Sequence, residues 1–204
     1  MSNLKDYISS IRDEANAVLC AQICGIEGKL KALDWSCDVR HSHGTFNWIY
    51  YKIGEPIVFV AYYNEKKNFC NFATFDFDTY KKEFSKKYKK VAFTPRNDKT
   101  MKAIVSMDGT YVALSHLAFD DILEGYCVDH IYHEVRFNHK GCVRLATSEQ
   151  NLRNRPNSKK KLGDGFDYNP DIDFRDNWQL VLRVMMLHEL SWEDAIIINK
   201  GVRQ

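Results

Sequence analysis

Two runs of β-branched and aromatic residues around a Gly/Pro reversal constrain this chain more than any other feature. Phe46, Trp48, Ile49, Tyr50 and Tyr51 lead into Gly54-Glu55-Pro56, and Ile57-Val58-Phe59-Val60-Ala61-Tyr62-Tyr63 follows. Branched and ringed side chains fit the pleated surface of a strand, and glycine beside proline marks a turn, so 45–63 is expected as a hairpin. Asn71 to Phe77 is a further candidate strand. Met101 to Leu114 reads as two short strands about Asp108-Gly109, a dipeptide that accepts the positive φ angles of a tight hairpin turn.

Helical spacing appears elsewhere. From Leu4 to Leu33, Ile8, Ile11, Ala15, Val18, Leu19, Cys20 and Ile23 recur at helical intervals, with Gly25 and Gly28 as interruptions. Asp78-Thr79-Tyr80 opens a segment expected to be helical through Tyr88, because Tyr80, Phe84 and Tyr88 repeat every four residues among lysines. A short helix is expected over Leu117–Leu123, and two more between Asn177 and Lys200.

The chain has 204 residues, 45% of them hydrophobic and 27% charged, which suits one ordinary domain or two small ones. No run of eighteen apolar residues is present, so no membrane span is expected. The opening Met-Ser-Asn-Leu-Lys-Asp has no apolar core, so a secretory signal is not expected and a cytoplasmic location is. Six cysteines, at 20, 24, 37, 70, 127 and 142, form no Cys-x-x-Cys pair and read as reduced, buried thiols. Cys20, Cys24, Cys37, His41 and His43 also offer zinc ligands, but Cys20 and Cys24 fall one turn apart on an apolar helical stripe, which favours the core. The formal charge of +2 does not ask for a nucleic acid. Its distribution is more suggestive: Lys81, Lys82, Lys86, Lys87, Lys89 and Lys90 form one cluster, and Arg153, Arg155, Lys159, Lys160 and Lys161 another.

The segment 125–156 carries the chemistry. Tyr126 to Ile131 reads as a short strand ending in Asp129 and His130, Val143 to Ala146 as a second strand, and Thr147 to Arg155 as a helix. Thr147 with Gln150 three places on forms a capping box, and Pro156 blocks continuation. A hairpin packed on the helix that follows it brings Asp129 and Asn151 toward one point. One carboxylate and one amide carbonyl suit a hard divalent cation that keeps several waters. His130, with a side chain that titrates near neutrality, suits a general base.

These residues resemble the HNH endonuclease family, most of all its phage and homing-type branch. The likeness lies in Asp129-His130-Ile131, Arg144-Leu145-Ala146-Thr147 and Ser148-Glu149-Gln150-Asn151, with Arg153-Asn154-Arg155 after them. Asn151 follows Asp129 by 22 positions, the family's interval, and the likeness spans 125–156, with a fainter echo at Tyr111–Gly125 that includes His116. The resemblance implies metal ligation by Asp129 and Asn151, with Mg²⁺ or Mn²⁺ as the ion, and water activation by His130. It also implies DNA contacts by Arg144, Arg153 and Arg155, which Lys86, Lys87, Lys89 and Lys90 would extend. One position departs: the family's central asparagine is Cys142 here, and thiols are weak hydrogen bonders. Either Asn138 or His139 on the intervening loop orients His130 instead, or cleavage is reduced or lost and the chain only binds DNA.

The expected class is therefore α+β: a ββα-metal (HNH) module at 111–161, after an N-terminal mixed α/β region at 1–110 and before a C-terminal helical region at 162–204. The expected activity is metal-dependent DNA cleavage, one strand per site, with a homodimer or two visits needed for both strands. An unrelated interaction protein, binding a protein partner through its β-rich half, is the remaining alternative.

Overall fold

The computed structural model describes residues 14–87, 89–95, 101–131 and 135–153. The chain divides into two compact units, 1–114 and 115–204. Nine strands in three antiparallel sheets dominate the described residues, and the helices are few and mostly short. This overturns the expected α+β class with its ββα-metal core. The helices expected between 177 and 200 lie outside the described residues. The physical reason is the density of β-formers between 36 and 113 and the tight turns that let each strand return beside the last.

In the first unit, strands β1 (Ser36–Ser42), β2 (Thr45–Tyr51), β3 (Ile57–Asn64) and β4 (Phe69–Asp76) form a four-stranded meander in sequence order. His43 and Gly44, between β1 and β2, both have positive φ, at 52° and 75°. That is the twist a two-residue hairpin turn requires. The interior positions of β2, β3 and β4 are all buried, so both faces of the sheet are covered. This explains why Ile57 to Tyr63 is an unbroken apolar run rather than an alternating one.

Helix α1 (Glu14–Ala32) covers one face. It runs through Gly25 and Gly28 without interruption, because Cys20, Ile23, Ile26 and Leu30 bury one side and outweigh the glycines' propensity cost of about 1 kcal/mol each. Glu27 on that side is also buried; it accepts from the Tyr50 hydroxyl at 2.7 Å and pairs with Lys31 at 2.6 Å. Cys20 is joined to Cys70 on β4, with Cα atoms 6.3 Å apart, so these two are not the reduced thiols expected. The disulfide also removes Cys20 from any zinc cluster.

The other face takes the segment after β4. Helix α2 (Phe77–Thr79) passes into a single π turn, Tyr80–Phe84, closed by the Ser85 amide on the Tyr80 carbonyl at 2.8 Å. Tyr80 stacks on Tyr51 at 4.6 Å and donates to Asp38; Phe84 packs on Phe75 at 4.9 Å. The helix expected through Tyr88 stops at this turn. The buried guanidinium of Arg40 takes the carbonyls of Phe84, Lys87 and Lys89, oxygens that a continuing helix would have paired internally.

Strands β5 (Val91–Pro95), β6 (Met101–Met107) and β7 (Thr110–Ala113) form the second sheet. Asp108 and Gly109, at φ 49° and 85°, make the turn between β6 and β7. In the second unit, β8 (Tyr126–His130) pairs with β9 (Val143–Thr147), and helix α3 (Ser148–Arg153) packs on both. A short 3₁₀ turn, Leu114–Ala118, stands where a helix was expected a few residues later.

Candidate active site

The capping box sets the start of α3. The Thr147 amide donates to Gln150 Oε1 at 2.8 Å and the Gln150 amide to Thr147 Oγ1 at 3.2 Å, so two amides that the helix cannot pair itself are satisfied reciprocally. The helix then projects Asn151 back onto β8, where its Nδ2 donates to Cys127 Sγ at 3.3 Å. Side chains two apart on a strand share a face, so Cys127 and Asp129 lie together and α3 brings Asn151 to the face that Asp129 occupies.

Asp129 is buried, at 5% exposure, and stands directly across the hairpin from Arg144. Arg144 donates to Asp129 Oδ2 twice, from Nε at 3.0 Å and Nη2 at 2.9 Å. Burying a carboxylate alone is expensive, and this ion pair offsets the cost. The resemblance had implied a DNA contact for Arg144; its side chain is 12% exposed and directed at Asp129.

His130 ends β8, and its Nε2 lies 3.3 Å from Asn138 Oδ1. Asn138 is itself buried, and its Nδ2 donates to the Arg136 carbonyl at 2.9 Å, which fixes the amide so that Oδ1 faces the imidazole. An amide oxygen only accepts, so Nε2 is the donor in this contact. Asn138 is therefore the loop residue whose amide oxygen faces His130. The loop is closed around Cys142 by backbone: the Ile131 amide donates to its carbonyl at 3.0 Å, and its own amide donates to the His139 carbonyl at 2.8 Å. His139 is buried at 3% exposure, and burial pushes its pKa down to about 3, so its ring is neutral. Its ring lies edge-on to Phe137 at 6.4 Å.

The remaining cations sort by exposure. Arg153 pairs with Glu149 one turn earlier on α3, and Arg155 lies outside the described residues. Lys86 and Lys87 are exposed, with Lys87 3.9 Å from Glu83. Lys89 turns inward onto Glu83 and Met107, and Lys90 onto the Ser42 carbonyl at 3.1 Å and Thr45 Oγ1 at 2.8 Å, where burial lowers its pKa. A cleft of about 560 Å³ in the first unit is lined by Cys37, Asp38, Val39, Arg40 and Phe84–Lys87. Its guanidinium is already committed to backbone carbonyls.

Among the described residues no three His, Cys, Asp or Glu side chains gather as a metal cluster. Asp129 and Asn151 offer a smaller donor set, a carboxylate and an amide. With Nδ2 of Asn151 turned to Cys127, its Oδ1 is the atom left for ligation. Both donors are hard oxygens and fit a small divalent ion that retains water; Arg144 is the group that competes for the carboxylate. Sequence reasoning missed Arg144 as a partner of Asp129, since only the pairing register reveals it. No helix among the described residues is long and apolar enough to cross a membrane. No protein-family profile, curated protein or solved structure matches the chain.

Proposed function

We propose that this protein hydrolyses a phosphodiester bond of DNA, with His130 as general base and Mg²⁺ or Mn²⁺ held by Asp129 and Asn151. The observation that supports this reading is the contact of His130 Nε2 with Asn138 Oδ1 at 3.3 Å, at the residue that follows the buried acid Asp129 in the chain. A bound ion would neutralise the phosphate and stabilise the leaving oxygen. His130 Nδ1 takes a proton from water as the water oxygen bonds to phosphorus. The P–O3′ bond breaks, the 3′-oxygen takes a proton from solvent, and a 5′-phosphate and a 3′-hydroxyl result. Arg153 and Arg155 hold backbone phosphates near α3, and one such site cuts one strand. A homodimer would cut both.

A second reading, DNA binding without cleavage, is favoured by the Arg144 ion pair that already engages Asp129. Supercoiled plasmid incubated with Mg²⁺, Mn²⁺ or EDTA separates the two. The expected result is nicked circles with either ion, none with EDTA, and none from His130→Ala, while that variant still retains DNA at low salt. Nicking by His130→Ala at the wild-type rate overturns the assignment. DNA retention without nicking under any condition selects the second reading.

A further inference from the structure

We infer that the outer edge of β1 is a docking site for an extended acidic peptide, which adds to the meander beside β1 as a further strand. The site lies in the first unit and is independent of the chemistry proposed for 125–156. Among the described residues β1 pairs with β2 alone, and the pairing is continuous from Ser36 to Ser42. A two-residue hairpin turn leaves its flanking pair, here Ser42 and Thr45, exchanging both backbone bonds. Bonded and non-bonded pairs then alternate along the ladder. Cys37 and Val39 therefore occupy non-bonded positions, and their amides and carbonyls point away from β2. Such an edge is a template for another strand.

The cleft of about 560 Å³ follows the same edge, with Cys37–Arg40 on one side and Phe84–Lys87 on the other. Side chains alternate in direction along a strand. Asp38 and Arg40 face the segment after β4, through Tyr80 and the carbonyls of Phe84 and Lys87, so Val39, 40% exposed, faces the other way. A strand laid beside β1 would alternate likewise, placing every second side chain beside Val39 and the others on the side of Lys86 and Lys87. Both lysines are exposed. Arg40 is committed to backbone carbonyls, and Asp38 accepts from Tyr80 and lies 3.6 Å from Arg40. The two ammonium groups thus dominate the charge offered to a ligand, and carboxylates complement them. The fitting peptide alternates acidic residues with branched apolar ones.

The test is fluorescence anisotropy of the full chain with a dye-labelled Glu-Val-Glu-Val-Glu-Val peptide. In an extended peptide the amides of alternate residues face β1. Methylating the valine nitrogens alone and the glutamate nitrogens alone should therefore differ: one set should weaken binding by roughly tenfold or more, the other far less. Lys86→Gln with Lys87→Gln should weaken the unmodified peptide by about threefold to tenfold. Val39→Pro removes an outward amide without taking a bond from β2, and should weaken it comparably. The methylated peptides decide alone should that variant fail to fold. No binding at roughly millimolar peptide overturns the inference. Unchanged affinity in the lysine variant overturns the acidic assignment. Equal binding by the two methylated peptides overturns strand addition and shows instead that the lysines attract any polyanion, DNA included.

Discussion

Asn47 and Val91 pair as two strand residues would, although only Val91 contributes its backbone. The Asn47 Nδ2 donates to the Val91 carbonyl at 3.0 Å, and the Val91 amide donates to Asn47 Oδ1 at 2.7 Å. Both residues are buried. Asn47→Ala would remove a donor and an acceptor from two enclosed backbone groups at once. Each such group costs about 1–3 kcal/mol when stranded, so a loss of about 3 kcal/mol in urea unfolding is expected. A loss below about 1 kcal/mol would show that the start of β5 finds other partners.

Stability should fall with acid through His139. Its folded pKa is about 3, against 6.5 for an ordinary imidazole. Between those values the unfolded chain binds the proton and the folded chain does not, so stability rises with pH across the window and is fully present above it. Below pH 6.5 the loss should approach about 1.4 kcal/mol per pH unit. Urea midpoints of wild type and His139→Gln at pH 7 and pH 4.5 measure it. The wild type should lose more than the variant on acidification; equal losses would place the proton elsewhere.

The lysine cluster should split into two behaviours. Lys86→Gln with Lys87→Gln should weaken DNA binding and flatten its salt dependence, since two exposed cations no longer release counterions. Lys89→Gln with Lys90→Gln should leave the salt slope nearly unchanged and lower the unfolding midpoint, because these ammonium groups bond inside the protein. A salt slope altered equally by both pairs would show that Lys89 and Lys90 leave their internal partners for DNA.

Cys142 and Asn138 make a matched pair of tests. Asn138→Ala should slow single-turnover nicking by up to roughly tenfold, the worth of one hydrogen bond of about 0.5–1.5 kcal/mol at the transition state. Cys142→Asn should not accelerate it, because Cys142 is 2% exposed and an amide there must be buried. Faster nicking by Cys142→Asn would show that Asn138 orients His130 poorly.

Short-range signals were legible in the sequence and long-range ones were not. The hairpin at 45–63 and the Thr147–Gln150 box depend on residues a few places apart, and both stand where expected. Strand β1, Ser-Cys-Asp-Val-Arg-His-Ser, has the polar composition of a half-exposed sheet edge and carries no apolar rhythm to notice. The lysine segment has helical periodicity, but Arg40, more than forty residues earlier, claims its carbonyls. In the second unit, spacing drew attention to Asp129, His130 and Asn151. The grip of Arg144 on Asp129 depends on which residues of β8 and β9 face each other, and the turn between them is too long to fix that register from sequence.

The Cys20–Cys70 bond encloses β1, β2 and β3 in a covalent ring. One proteolytic nick in any loop of that ring would cut the polypeptide without dividing it. The product would keep the mass of the intact chain plus one water and would run as a single species until a thiol reductant was added. Mapping which loops a protease reaches therefore requires reducing conditions, and a surface that looks resistant without them has merely held on to its pieces.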